Sequence, residues 1–405
     1  MSRYARAAAA RLTPPRFLLT VLVAYALCRL VSGIILAVVA TRQVPTGWTG
    51  PTVDYLSLTV QWDGQWYEQI ADHGYPHTLP QNEIGGLQQN AWAFYPLFPF
   101  ASRLLMGVTG LSFPIVASTL SLLLGFVAAG AIAQLLRHRI GRPATLAVVV
   151  LWASYPAAVV LQVAYTEAMA MALLALFLLA LSKERWLWAM SLALLLGLTR
   201  PIAVPIAAVT VVALWVRWRA REQRPISRGE GVSALAALAG CGVSGLLWPG
   251  IAAIGTGRSD AYTATMATWR GSGTIEPVTP WLDMSRYYFG QTWGPVWLTV
   301  IFTTIAVMVL GPWASRLGPQ LRTWSLAYPA YLLVVLDPFT SIFRYLIPLF
   351  PLVAVMIGVA GRPRWVGWGR LALVRFGVLL VVFVVGQWYW IDVLWRFVPP
   401  TDFPP

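Results

Sequence analysis

Charge is scarce in this sequence: 11% of its 405 residues are Asp, Glu, Lys or Arg, against 58% apolar. A soluble domain carries about a quarter charged residues, so a water-facing surface could not be covered and a soluble fold is excluded. Cysteine is nearly absent. Cys28 and Cys241 lie in separate apolar runs, which argues against a disulfide and for two small core hydrophobes. Histidine occurs three times. His73 and His77 are four apart, but Gly74 and Pro76 break any helix that would put them on one face, so no metal site is expected. No Asp-x-Asp occurs, so nothing calls for a divalent ion to hold a sugar nucleotide. No internal repeat is visible, which disfavours an inverted-repeat transporter. A cleavable signal peptide is missing too: the first apolar stretch, 17–40, is too long for a signal core and lacks a clear cleavage site.

What remains is apolar length. A span needs roughly 20 apolar residues, and such runs recur at 17–40, 113–136, 144–162, 166–182, 186–199, 201–216, 231–254, 294–312, 323–337, 342–360 and 370–391. The expected fold is an all-α polytopic membrane protein, one integral domain over 1–405 with about eleven transmembrane helices. The runs 186–199 and 201–216 are short and split by Arg200-Pro201, which predicts a tight hairpin or a broken helix. The net charge of +14 follows from topology rather than nucleic-acid binding, because no basic stretch is interleaved with a soluble fold. With the N-terminus in the cytoplasm, the inner loops hold 20 of the 29 basic residues, from Arg3, Arg6, Arg11 and Arg16 to Arg362, Arg364, Arg370 and Arg375. Of the 15 acidic residues, only Glu184, Glu222 and Glu230 fall inside. This segregation is the positive-inside pattern, and it predicts a multi-pass protein of the plasma membrane.

Two long outer loops result, 41–112 and 255–293, and long loops with their own pattern carry function. In the first, "QWDGQWYEQIADHGY" repeats Trp62, Trp66 and Ile70 at i, i+4, i+8 until Gly74 stops the pattern. This predicts a short helix along the membrane interface. Asp63 stands at its N-terminus, where orphan N–H groups and the helix dipole favour an acidic residue. A plain N-cap and a general base are both open to it. Asp54, Glu68 and Asp72 compete for any acid–base role.

The same segment, "WDGQWYEQIADHGY" followed by "NAWAFYPLFPF", resembles the signature of the PIG-V family of mannosyltransferases. Its members pair a Trp-Asp with a Gly-Tyr about ten residues on, and then an aromatic-Pro-x-aromatic-Pro element, here Tyr95 to Pro99. Further similarities follow in order: "YTEAM" with Glu167, "LGLTRP" with Arg200, and "SIFRYLIPLFPL" with Arg344 and Tyr345. The resemblance implies a GT-C-type glycosyltransferase working on the extracytoplasmic face, with a polyprenyl-phosphate sugar as donor, most simply mannose. The acceptor would be lipid-linked or a glycan. It implies Asp63 as the catalytic base, an inverting displacement and no cofactor. Arg344, Arg200, Glu167, Tyr345, Trp62 and Tyr95 become candidates for donor-phosphate or substrate contact.

The residues themselves point the same way in part. A phosphate leaving group needs positive charge near the outer surface, and Arg200 and Arg344 lie at outer span ends, where snorkelling or pairing with Glu167 or Asp337 is the alternative. The second outer loop adds Tyr262, Trp269, Arg270, Asp283, Arg286 and Tyr287, a mix suited equally to a sugar site and to a solvated loop anchored by aromatics. A transporter or flippase of a lipid-linked glycan is the competing reading. Its mark is ionisable residues within spans, of which Arg29 is the clearest. A non-enzymatic subunit that holds a partner's loops is a third. The Trp- and Tyr-dense "GQWYWIDVLWRF" at 386–397 reads as an interfacial aromatic belt.

Overall fold

A computed structural model describes residues 14–46, 49–270, 273–361 and 369–399. Arg3, Arg6, Arg11, Arg362 and Arg364 of the topology argument lie outside them. The first helices are α1 (Pro14–Ala40), α2 (Tyr55–Thr59), α3 (Asp63–His73), α4 (Leu97–Thr109), α5 (Phe113–Ile140), α6 (Arg142–Ala153), α7 (Glu167–Ser182) and α8 (Trp186–Gly197). There follow α9 (Ala203–Arg219), α10 (Arg228–Thr256), α11 (Ala261–Ala267), α12 (Thr279–Leu310), α13 (Gly318–Val335), α14 (Ile342–Tyr345), α15 (Phe350–Met356) and α16 (Arg370–Trp390). Among the described residues there is no β-strand, only two isolated bridges.

Every apolar run of the sequence contains helix, but among the described residues five helices are long and apolar enough to cross a membrane: α1, α5, α10, α12 and α16. Their outward faces are apolar. Leu19, Val23, Leu27, Leu30 and Ile34 along α1, and Leu371, Val374, Val378, Val381 and Val385 along α16, are each more than half exposed. Stripes of this extent do not face water in soluble proteins; lipid is the solvent that suits them. Inside, the shorter helices α6 to α9 and α13 pack against the long ones and one another, with α8 on α10, α7 on α5, and α9 on α13.

Close packing without a hydrophobic driving force between helices relies on small residues. A Cβ added at Gly197 of α8 would meet the backbone carbonyl of Ser244 on α10 and lie 2.7 Å from its Cα. Gly197→Val is expected to lower the thermal unfolding midpoint of the detergent-solubilised protein, since overpacking costs about 1–3 kcal/mol or more. Gly242→Ala on α10, where nothing lies within 4 Å, should leave the midpoint unchanged. Equal midpoints for the two variants would remove this contact from the account.

The run 144–162 departs from the expected continuous span. Helix α6 ends at Ala153, and 154–166 passes through the interior as turns and one 3₁₀ turn, Ala158–Leu161. Irregular backbone at membrane depth is tolerated only where protein satisfies its polar groups. Here Arg29, buried in α1, donates to the carbonyls of Ala153 and Ala158. Gln387 of α16 donates to Tyr155 O at 3.2 Å, and Ser121 Oγ of α5 to Tyr165 O at 3.1 Å. The backbone N–H of Ala164 donates to Thr59 O at 2.9 Å, tying this segment to the first loop. The mid-span Arg29, the sequence feature that favoured transport, is thus occupied by a broken helix.

The split at Arg200-Pro201 is a tight turn between α8 and α9, and it brings Arg200 back to the start of α7. The loops assigned to one side also come together. Glu184 pairs with Arg217 and Arg224, Arg217 pairs with Glu230 at 2.5 Å, and Arg139 donates to Leu317 O. In the second outer segment, helix starts at Thr279, well before the expected span start at 294, and continues across a non-helical Gly290 with φ 81°.

Candidate functional site

The first loop opens with two short helices, α2 and α3, joined by a strained corner. Asp54 caps α2: its Oδ1 accepts from the Ser57 N–H at 2.8 Å, and the Ser57 hydroxyl accepts from the Asp54 N–H at 3.0 Å. That role removes Asp54 from the acid–base candidates. At the corner, Trp62 has φ 62° and ψ −121°, a conformation that costs a bulky residue about 1–3 kcal/mol unless neighbours enforce it. The C-terminal segment supplies that enforcement. The Trp62 indole N–H donates to Trp395 O at 2.7 Å, and the Trp395 indole N–H donates to Leu58 O at 3.0 Å. Trp390 and Trp395 are fully buried, which corrects the aromatic-belt expectation for half of that motif. Trp388 and Tyr389 remain outside. Trp395→Phe should therefore speed amide hydrogen exchange from Gln61 to Gly64, because the Leu58 carbonyl loses its shorter hydrogen bond, worth about 0.5–1.5 kcal/mol, and keeps only the Gln61 N–H at 3.4 Å. Unchanged protection there would separate the C-terminal segment from the loop.

Asp63 is the first residue of α3, not its N-cap; Trp62 holds that place and makes no side-chain cap. The Asp63 backbone N–H donates to Tyr165 Oη at 3.1 Å, and that hydroxyl donates to Gln61 O at 3.2 Å. The carboxylate is left free to turn away from the helix end. Its Oδ2 accepts from Arg344 Nη1 at 2.5 Å. Gly74 ends α3 with φ 78°, as the sequence predicts.

Arg344 lies in the short helix α14, 7% exposed, and also reaches Glu167 Oε1 at 3.4 Å. Glu167 opens α7 and is 4% exposed; its Oε1 also pairs with Arg200. Arg200 Nε donates to Thr166 Oγ1 at 3.1 Å, and Thr166 exchanges a further hydrogen bond with Tyr67 Oη at 3.3 Å. The Tyr345 ring stands between the two guanidiniums, 5.4 Å from Arg200 and 5.6 Å from Arg344, within cation–π range. Four distant segments thus contribute one chain of alternating charge: Asp63, Arg344, Glu167, Arg200. Burying such charges costs several kcal/mol per ion before pairing, so fold stability alone gives little reason to keep them. Within a membrane they mark a candidate functional site.

The network opens onto a cleft of about 390 Å³, walled by Asp63, Phe94, Trp269, Arg270, Asp337, Arg344 and Tyr345 among others. Beneath it, a cavity of about 20 Å³ lies between Glu167, Arg200, Tyr328, Arg344 and Tyr345. Glu167 Oε2 and Arg344 Nε are buried there without a protein hydrogen-bond partner. A larger hollow of about 680 Å³ lies between α1 and α5. Its walls are mainly apolar and its one cation is Arg29, already held by carbonyls. Convergent charge, not volume, singles out the smaller cleft. Among the described residues no three His, Cys, Asp or Glu side chains gather as a metal site.

Of the residues singled out by sequence, Asp63, Arg344, Arg200, Glu167, Tyr345 and Arg270 converge here. Trp62 supports from behind, through Trp395. Tyr95 stands aside in an aromatic cluster with Trp92 and Trp248, its hydroxyl on that of Tyr262 at 3.0 Å. Asp72 is exposed, and neither it nor Glu68 lines the cleft. Burial raises the Glu68 carboxyl above its usual range, and Asp72 one turn on raises it further. Trp269, offered with the second outer loop, and Asp337, offered only as a partner for an arginine, line the cleft, and Tyr165 joins the site beside Asp63 and Arg344 without having been named. Trp269 and Asp337 each sit near a candidate Arg in the reading of the loops, whereas nothing local to Tyr165 marks it. Compared with models of known protein families the chain matches none, and no curated protein matches it either.

Proposed function

We propose that the protein is a PIG-V-like, GT-C-type glycosyltransferase that moves a sugar, most simply mannose, from a polyprenyl phosphate to a lipid-linked or glycan acceptor. In this reading about eleven helical segments cross or enter the bilayer, the N-terminus is cytoplasmic, and the cleft faces the extracytoplasmic side. That side lacks nucleotide sugars, which suits a lipid-linked donor. The observation that carries the proposal is the joining of Asp63, Glu167, Arg200 and Arg344 in one ion-pair network that reaches the cleft at Asp63 and Arg344, because each comes from a different motif of the resemblance.

Asp63 takes the proton of the acceptor hydroxyl. The acceptor oxygen bonds to the anomeric carbon from the side opposite the lipid phosphate. The bond from that carbon to the phosphate oxygen breaks, and its electron pair leaves with the phosphate. Configuration inverts, so a β-linked donor gives an α-glycoside. Arg344 and Arg200 meet the charge on the leaving phosphate, a role for which Arg forks are well shaped. Arg270 stands in the same cleft wall and adds a third positive charge.

A flippase of a lipid-linked glycan is disfavoured, because Arg29 is engaged by backbone carbonyls. Purified protein in liposomes, given labelled polyprenyl-phosphate mannose and membrane glycolipids, should form a new glycosidic bond detectable by mass spectrometry. Translocation of the lipid sugar without any new bond would reverse the assignment.

A further inference from the structure

The resting arrangement of the site poses a chemical problem. The carboxylate that should accept a proton has Oδ2 on the Arg344 guanidinium at 2.5 Å. The cation that should meet the phosphate is the same Arg344. Each group occupies the other.

We propose that the Asp63–Arg344 ion pair is a latch opened by the donor: the phosphate takes Arg344 from Asp63, and only then is Asp63 free to act as base. This rests on the transferase reading above. Three observations support it. Asp63 is the outermost carboxylate of the network, its side chain 18% exposed against 4% for Glu167, so a ligand entering the cleft meets this pair first. Arg344 has a second carboxylate in reserve: Glu167 Oε1 lies at 3.4 Å, longer than a good charged hydrogen bond, and Arg344 Nε and Glu167 Oε2 have no hydrogen-bond partner among the described residues. Arg344 can therefore give up Asp63 without being left as a lone buried cation. Finally, Asp63 is not tied by a cap, because Trp62 holds the N-cap position and the Asp63 backbone is fixed independently through Tyr165. Its side chain can move while α3 stays.

The charge count follows the same path. At rest two carboxylates and two guanidiniums cancel. The donor's phosphodiester brings one negative charge. During transfer the acceptor's proton passes to Asp63, which becomes neutral, and the phosphate, losing its ester bond to the sugar, gains a negative charge. Arg344 is paired throughout, first with Asp63 and then with the phosphate. The latch also keeps an idle site from presenting an unpaired base to water. Departure of the lipid phosphate and loss of the proton from Asp63 restore the pair.

The test is binding of farnesyl phosphate to the full chain in detergent, comparing wild type with Asp63→Asn, Arg344→Gln and the double variant. If Asp63 competes with phosphate for Arg344, Asp63→Asn binds about ten-fold tighter, a difference of about 1.4 kcal/mol. Arg344→Gln binds at least about ten-fold weaker, and the double variant gains nothing over it. Asp63→Asn binding no tighter than wild type, in a preparation whose wild type transfers mannose, overturns the latch and leaves the transferase reading standing. Absence of both binding and transfer in wild type overturns the two together.

Discussion

Asp63→Asn is expected to lower sugar transfer from polyprenyl-phosphate mannose by about 10²–10⁴-fold, the usual contribution of a positioned general base. The amide matches the carboxylate in size and can still accept from Arg344, so the corner at Trp62 should hold and the protein should express and elute as wild type does. The corner is fixed by Trp395 and Tyr165, which do not depend on the Asp63 charge. Transfer assays at saturating donor separate the loss of chemistry from altered donor binding. Glu68→Gln and Asp72→Asn are the controls. Both carboxylates lie in the same helix, but neither lines the cleft, and their variants should keep near wild-type turnover. Retained turnover in Asp63→Asn would remove Asp63 from the mechanism; lost turnover in the controls would put the base elsewhere on α3.

The second large effect concerns stability. Glu167→Gln removes the carboxylate shared by Arg200 and Arg344. Breaking a buried pair from one side leaves an uncompensated charge and costs about 3–5 kcal/mol. Here two arginines lose a partner, and Arg200 loses its only ion-pair partner among the described residues. The unfolding midpoint in detergent should fall sharply. Glu167→Gln/Arg200→Gln, which removes one charge of each sign, should recover part of that loss, and the cycle gives the coupling between the two sites. Additive losses would mean that Glu167 and Arg200 act separately. Asp63→Asn should cost less stability than Glu167→Gln, because Asp63 is the more exposed carboxylate and Glu167 remains for Arg344.

The two effects show which parts of the site were legible one residue at a time. Asp63 stands out because a charged residue heads an amphipathic segment in a long outer loop. Arg200 stands out because a cation precedes a proline between apolar runs. Their partnership is not legible, since Asp63, Glu167, Arg200 and Arg344 stand in four separate segments of the chain, and nothing local encodes which carboxylate meets which guanidinium. Arg29 illustrates the converse. Its position inside a span is plain, but its role depends on α6 ending at Ala153 and leaving carbonyls unsatisfied, which an apolar sequence does not disclose. Trp395 belongs to the same class. Aromatic residues at an apolar run's end fit a membrane interface by composition, and only packing against Leu58 and Trp62 makes this one a brace.

By itself the sequence determined the solvent of this protein, its helical class and its punctuation. Charge scarcity and apolar run length follow directly from what lipid permits, and Gly74 and Arg200-Pro201 act on the backbone where they stand. Tertiary structure alone decided that the run 144–162 breaks, that Asp63 turns from its helix to Arg344, and that four separated charges form one network. Those outcomes depend on satisfying buried carbonyls and balancing buried charge, and both sums close only when the helices are in place.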